Sequence, residues 1–302
     1  VKGSEVLIDT DQGRLKSEIT IFGGQAKASL DLGLEKSMMS YLKIDAKHFV
    51  LQPFLLALNS SLLDDQNLES ELNGNLNIKF PSLNIIKCTG IGFVGKSWIK
   101  KTGVDLRIEK PVTFNYDSGD YDAEKIELVG EGSKLNLLAQ VHSGRFNGSA
   151  IGKVNVGLLE FLNQEIANGK GSVDIDAKAV GTPEHPDISG TVISKGSDLR
   201  LRTLEQAFED AKFKLQIKEG TFAVSEAIAK FGGGIVKGSG TGEVFLDRPP
   251  RFDLKVELDN SKLRAYPMAY ARVSGKLAVR GELLPYHVTG NVRLSEAMIK
   301  ES

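Results

Sequence analysis

The chain is predicted to be all-β: an elongated, curved, mainly antiparallel sheet built from about three repeats, with one or two short helices. Three observations predict this. Glycine recurs with similar neighbours at Gly74, Gly171 and Gly275, spaced by 97 and 104 residues, and each time it opens a strand. Apolar and polar residues alternate with period two along most of the chain. Turn-forming clusters such as Asp117-Ser-Gly119 and Lys218-Glu-Gly220 separate the alternating runs.

Taken in order, the first strong run has Ile44, Ala46, His48 and Val50 against Asp45, Lys47 and Phe49. The segment Leu51–Leu63 has helical spacing, with Pro53 tolerated near its start. Leu76, Ile78 and Phe80 alternate after Gly74, and Val104, Leu106 and Ile108 alternate further on. A second helix is expected over Gly157–Gly169, closed by Gly169 as its C-cap. Val173, Ile175 and Ala177 then follow Gly171. Phe213, Leu215 and Ile217 alternate with lysines and Gln216, and Leu254, Val256 and Leu258 alternate with charges. Leu277 and Val279 follow Gly275. The short meanders imply antiparallel pairing. Approximate repeat units are 1–80, 81–190 and 191–302 of a single elongated fragment.

Composition narrows the function. The chain has 302 residues with 38 basic and 39 acidic side chains, so a nucleic-acid footprint is not expected. The single cysteine, Cys88, forms no internal disulfide and reads as a small buried residue. The best apolar cluster, Phe54–Leu58, is far shorter than the ~20 residues a membrane span needs. The chain starts at Val1 without methionine and reads as a cut from a longer protein.

Catalytic and ligand motifs are weak. Gly238-Ser-Gly-Thr-Gly242 precedes a strand, whereas a phosphate loop precedes a helix. Asp9-Thr-Asp-Gln-Gly13 lacks the downstream acids of a calcium loop and reads as a hairpin turn. His48, His142, His185 and His287 have no metal spacing; His48 falls in an apolar row and reads as a core or rim histidine. Trp98 reads as a packing or edge aromatic. No enzyme, cofactor or metal is expected.

Gly169–Gly190 and its echo Val273–Val292 share a glycine-led strand, a Gly-x-x-x-Pro-like turn, then a second strand opened by Gly190 or Gly290. With Phe222–Gly240, these stretches resemble the AsmA-like superfamily, most closely the TamB proteins of Gram-negative envelopes. The resemblance implies a taco-shaped β-groove that carries phospholipid between two membranes. It also implies a periplasmic location within an inner-membrane-anchored protein. An outer-membrane Omp85-type (TamA-like) barrel would be the partner, met through parts outside this chain. The expected lining is Leu76, Ile78, Phe80, Val173, Ile175, Ala177, Phe213, Leu215, Ile217, Leu254, Val256, Leu258, Leu277 and Val279, in contact with acyl chains. Moving a ~16-carbon chain bare through water costs on the order of 12 kcal/mol, and an apolar trough removes that barrier. The rival expectation is a periplasmic chaperone offering sheet edges to outer-membrane β-barrel proteins or autotransporters.

Overall fold

The computed structural model describes every residue except 1–4, 12, 22–24, 52–67, 82–86, 102–103, 163–165, 203, 205, 244–249, 267–268, 283–285 and 300–302. The helix expected at Leu51–Leu63 lies almost wholly outside the described residues. The chain is all-β, as its alternation predicts, and the strand pairs are antiparallel. It divides into two compact units, residues 1–150 with 179–186 and residues 151–178 with 187–302.

The first unit holds β1 (Glu5–Asp11), β2 (Arg14–Ile21), β3 (Ala26–Gly33), β4 (Met39–Phe49), β5 (Glu69–Pro81) and β6 (Thr89–Val94). It continues with β7 (Trp98–Lys101), β8 (Val104–Ile108), β9 (Val112–Asp117), β10 (Asp120–Ala123), β11 (Ile126–Gly130) and β12 (Ser133–His142). Strands β1 to β5 pair in sequence order. Beyond β5 the strands are broken: one part of β5 pairs with β6 and the other with β7. Then β6 pairs with β9, β7 with β8 and β8 with β11, until β10 and β11 both meet β12.

A line of irregular backbone crosses this unit where the strands break. It starts at His48 on β4, where φ is +51° and the register with β5 shifts between Ala46 and Phe49. The displaced His48 amide donates to Asn73 Oδ1 at 2.8 Å, and the Asn73 amide donates to Ser97 Oγ at 3.0 Å. Such a bulge inserts one extra residue and bends the strand. It also inverts the alternation. His48, expected in the apolar row, is exposed, and Phe49 turns inward at 8% exposure.

Next come β13 (Arg145–Asn155), a 3-10 turn (Val156–Leu158), α1 (Leu159–Leu162), β14 (Ile166–Lys170) and β15 (Ser172–Gly181). The helix expected over Gly157–Gly169 is therefore corrected. Among the described residues helical structure covers Val156–Leu162, and Gly169 lies in a strand instead of capping a helix. Gly169 pairs with Leu199, and its missing side chain lets the Val156 backbone approach.

The second unit is dominated by a meander: β16 (Pro186–Leu201), β17 (Ala207–Lys218), β18 (Thr221–Phe231), β19 (Gly234–Glu243), β20 (Arg251–Tyr266), β21 (Ala269–Glu282) and β22 (Tyr286–Ile299). Each strand pairs with its sequence neighbour. Left-handed bulge residues recur at Asp210, Asn260 and Glu296, with φ of 50°, 51° and 52°. Again a neighbouring strand satisfies the displaced amides: Asp210 donates to Asp198 Oδ1 at 3.0 Å and Asn260 to Ser274 Oγ at 2.9 Å. Gly238–Gly242, considered above as a phosphate loop, lies within β19.

Candidate functional site: an apolar sheet face

Antiparallel register fixes which side chains stand side by side, because directly opposed residues share a face. In the second unit one row runs Val192, Leu215, Val224, Gly240, Leu254, Val279, Val288 across seven strands. The next row runs Ser194, Phe213, Ala227, Gly238, Val256, Leu277, Gly290. On the other side lies Gly190, Ile217, Phe222, Gly242, Phe252, Gly281, Tyr286. No charged side chain interrupts these three rows. The first unit has a counterpart: Ile19, Ala28, Ile44, Leu76, Gly92, Phe114 and Ala123 form one row.

Glycine and aromatic residues pair across strands in both units. A Cβ on Gly92 would fall on the Phe114 ring, and one on Gly242 would fall on the Phe222 ring. Each ring thus covers the backbone that its glycine partner leaves bare, which keeps the face apolar.

The expected lining residues fall into three groups. Leu76 and Ile78 are half-buried on β5, and Ile175 and Ala177 on β15. Phe213, Leu215, Ile217, Leu254, Val256, Leu277 and Val279 come together on the second-unit rows, all half-buried. Phe80, Val173 and Leu258 are buried, at 5%, 9% and 7% exposure. Leu258 joins Phe231 and Val273 in a sealed corner, against which Leu204, Phe208, Val236, Val256, Leu263 and Leu277 pack. There the Phe208 and Phe231 rings stack with centroids 4.6 Å apart. The expected lining left out Val192, Val224, Phe222, Phe252 and Val288, although Phe252 and Val288 fall in apolar rows of the sequence. The signal for Val224 was hidden because the register of β18 shifts between Val224 and Ala227, which breaks the alternation.

Away from the sealed corner the face is open. Val288, which ends the Leu254 row on the edge strand β22, is 51% exposed.

The opposite face is laced by charge pairs. Arg280 Nε meets Asp253 Oδ2 at 3.0 Å, and Lys195 Nζ meets Asp174 Oδ2 at 3.0 Å. The Lys195 hydrogen bond holds the Asp174 carboxyl below its usual value, against the effect of desolvation. Exposed pairs of this kind contribute little stability, but they leave no block of one sign. A cavity of about 1030 Å³ runs along Lys218, Thr221, Glu243 and Arg251 and the adjoining Gln216, Thr241, Asp253 and Arg280. It reaches Ile217, Phe222 and Phe252, but Leu215, Val224 and Leu254 do not line it. Six of the seven residues of the third row, all but Tyr286, line it.

The other polar candidates are accounted for locally. The His48 ring meets Glu71 Oε1 at 3.0 Å at the strand break. Cys88 is buried, with its carbonyl accepting from the Ser118 amide. Trp98 is half-buried on β7, opposite Glu71 and Arg107. Among the described residues no group of three or more His, Cys, Asp or Glu could hold a metal ion. No described helix is long and apolar enough to cross a membrane.

Residues 226–301 match the family described as the TamB C-terminal domain. No curated protein and no solved structure matches the chain significantly.

Proposed function

We propose, on the match of residues 226–301 to the TamB C-terminal domain, that this chain is part of a TamB-type, AsmA-like bacterial envelope protein and that its apolar face conducts phospholipid acyl chains between the inner and outer membranes. The observation that carries the proposal is an uncharged face left half-exposed across seven strands. Such a face stabilises hydrocarbon at about 25 cal/mol per Å² removed from water, at every step and with no deep trap. The expected lining residues of the open rows, with Leu76, Ile78, Ile175 and Ala177, serve as apolar contact surface and perform no chemistry. Phe80, Val173 and Leu258, buried on the same strands, would flank that surface. The setting we propose is the periplasm of a Gram-negative bacterium, within an inner-membrane-anchored protein. Its partner would be an Omp85-type barrel, reached through other parts of that protein. The three-repeat organisation over 1–80, 81–190 and 191–302 belongs to the same proposal.

Native mass spectrometry of the purified chain should find co-purifying phospholipid. The Leu254→Asp variant should lose it while remaining folded, since Leu254 lies on an open row. Val256 is a poorer probe because it packs against the sealed corner. An unfolded Leu254→Asp protein would make that position core and count against a groove.

One observation favours the rival reading, a chaperone for outer-membrane β-barrel proteins. Among the described residues β22 pairs with β21 alone, which leaves an edge beside exposed Val288 and Leu294. A photo-crosslinker at Leu254 that captures lipid supports conduction. One on β22 that captures polypeptide, with none of the lipid at Leu254, supports the chaperone.

A further inference from the structure

Gly238 and Gly240 stand two residues apart on β19, face the same side, and are glycine for different reasons. At Gly240 φ is +157°, and an added Cβ would land on the Asp253 carbonyl oxygen. The backbone demands that glycine. At Gly238 the φ angle is one that ordinary residues adopt. The nearest atoms to an added Cβ there are Ala227 Cβ at 3.8 Å and Lys255 O at 4.0 Å, which is ordinary contact. A Cβ would fit without displacing a neighbour. Glycine inside a strand weakens it, so what Gly238 supplies is room on the apolar face, between Ala227 and Val256.

The chemistry of the face selects what can use that room. Around Gly238 the backbone of β19 and β20 is paired strand to strand, and β18 pairs with β19 on both sides of its irregularity at Ser225 and Glu226. A polypeptide laid across it would find no partners for its own amides and carbonyls, whereas hydrocarbon needs none. The neighbouring Phe213, Ala227, Val256, Leu215, Val224 and Leu254 carry no charge, so the surface complements an uncharged chain and not a headgroup.

We infer that Gly238 is the depth-setting residue of this face: a lipid hydrocarbon chain lies across the strands, over the rows of Leu254 and Val256, and sinks against Gly238. The inference rests on the lipid reading above and adds the lie of the chain and the residue that limits its size.

The test uses phosphatidylcholine vesicles carrying a diazirine-labelled acyl chain, with wild type, Gly238→Val and Gly240→Val. Gly238→Val should keep or raise the melting temperature, because valine suits a strand, and should cut lipid labelling about tenfold. Gly240→Val should lower the melting temperature, as strained backbone requires. Labelling of Gly238→Val equal to wild type would overturn the inference and leave the lipid reading intact. A melting temperature for Gly238→Val as low as that of Gly240→Val would show a backbone requirement and also overturn it. A wild-type protein that takes no label would remove the lipid reading itself.

Discussion

Within the second unit the sealed corner and the open rows are built from the same alternating strands, yet they end in opposite states. Leu258 is 7% exposed and Phe231 4%, while Leu254, four residues before Leu258 on the same strand and face, is only half-buried. The corner closes because the bulge at Asn260 carries β20 past the end of the β18–β19 hairpin, where Lys262 donates to the Gly232 carbonyl at 2.9 Å. Leu204 and Phe208 then pack against the corner, while Leu254 stays half-buried. Alternation decides which face a side chain takes. Whether that face is covered depends on segments far away in sequence.

This contrast can be broken at three strengths. Phe231→Ala should cost roughly 3–5 kcal/mol in urea unfolding, as cavity-forming core truncations do. Val224→Ala, on the open row, should cost less than about 1 kcal/mol, and equal losses would mean that the rows are as sealed as the corner. Asn260→Val places a β-branched residue at φ +51° and should cost about 1–2 kcal/mol, whereas Asn260→Gly should be tolerated. A valine variant as stable as wild type would mean that the bulge does not hold the corner. The smallest effect concerns the line of breaks in the first unit. The Asn73 side-chain hydrogen bond at 2.7 Å, helped by His48, holds the Glu71 carboxyl below its ordinary value of 4.5. A depressed carboxyl stabilises the fold above its unfolded value and loses that effect as pH falls through its folded value. The stability difference between wild type and Glu71→Gln should therefore be constant at neutral pH and shrink below about pH 4.5. A difference that persists at low pH would assign the effect to packing.

Much of this was legible in the sequence. The runs Phe213–Ile217 and Leu254–Leu258 gave strands, faces and direction, because period two has one solution when charges occupy every second place. The bulges were not legible. His48 and the Val224–Ala227 shift each add residues that invert the pattern, and nothing in side-chain polarity marks them. The 157–169 segment failed for another reason: its helical spacing is real over four residues, but Gly169 is claimed by a strand pairing that local pattern does not encode. Nor could Gly238 be told from Gly240, since only a fold shows what a missing methyl would strike.

Because each strand from β16 to β22 bonds to the one before it, this region can assemble like a zip. Every hairpin is rewarded as soon as the chain doubles back, and no distant segments must meet first. The leading end of this region could therefore become ordered while the remainder is still being synthesised.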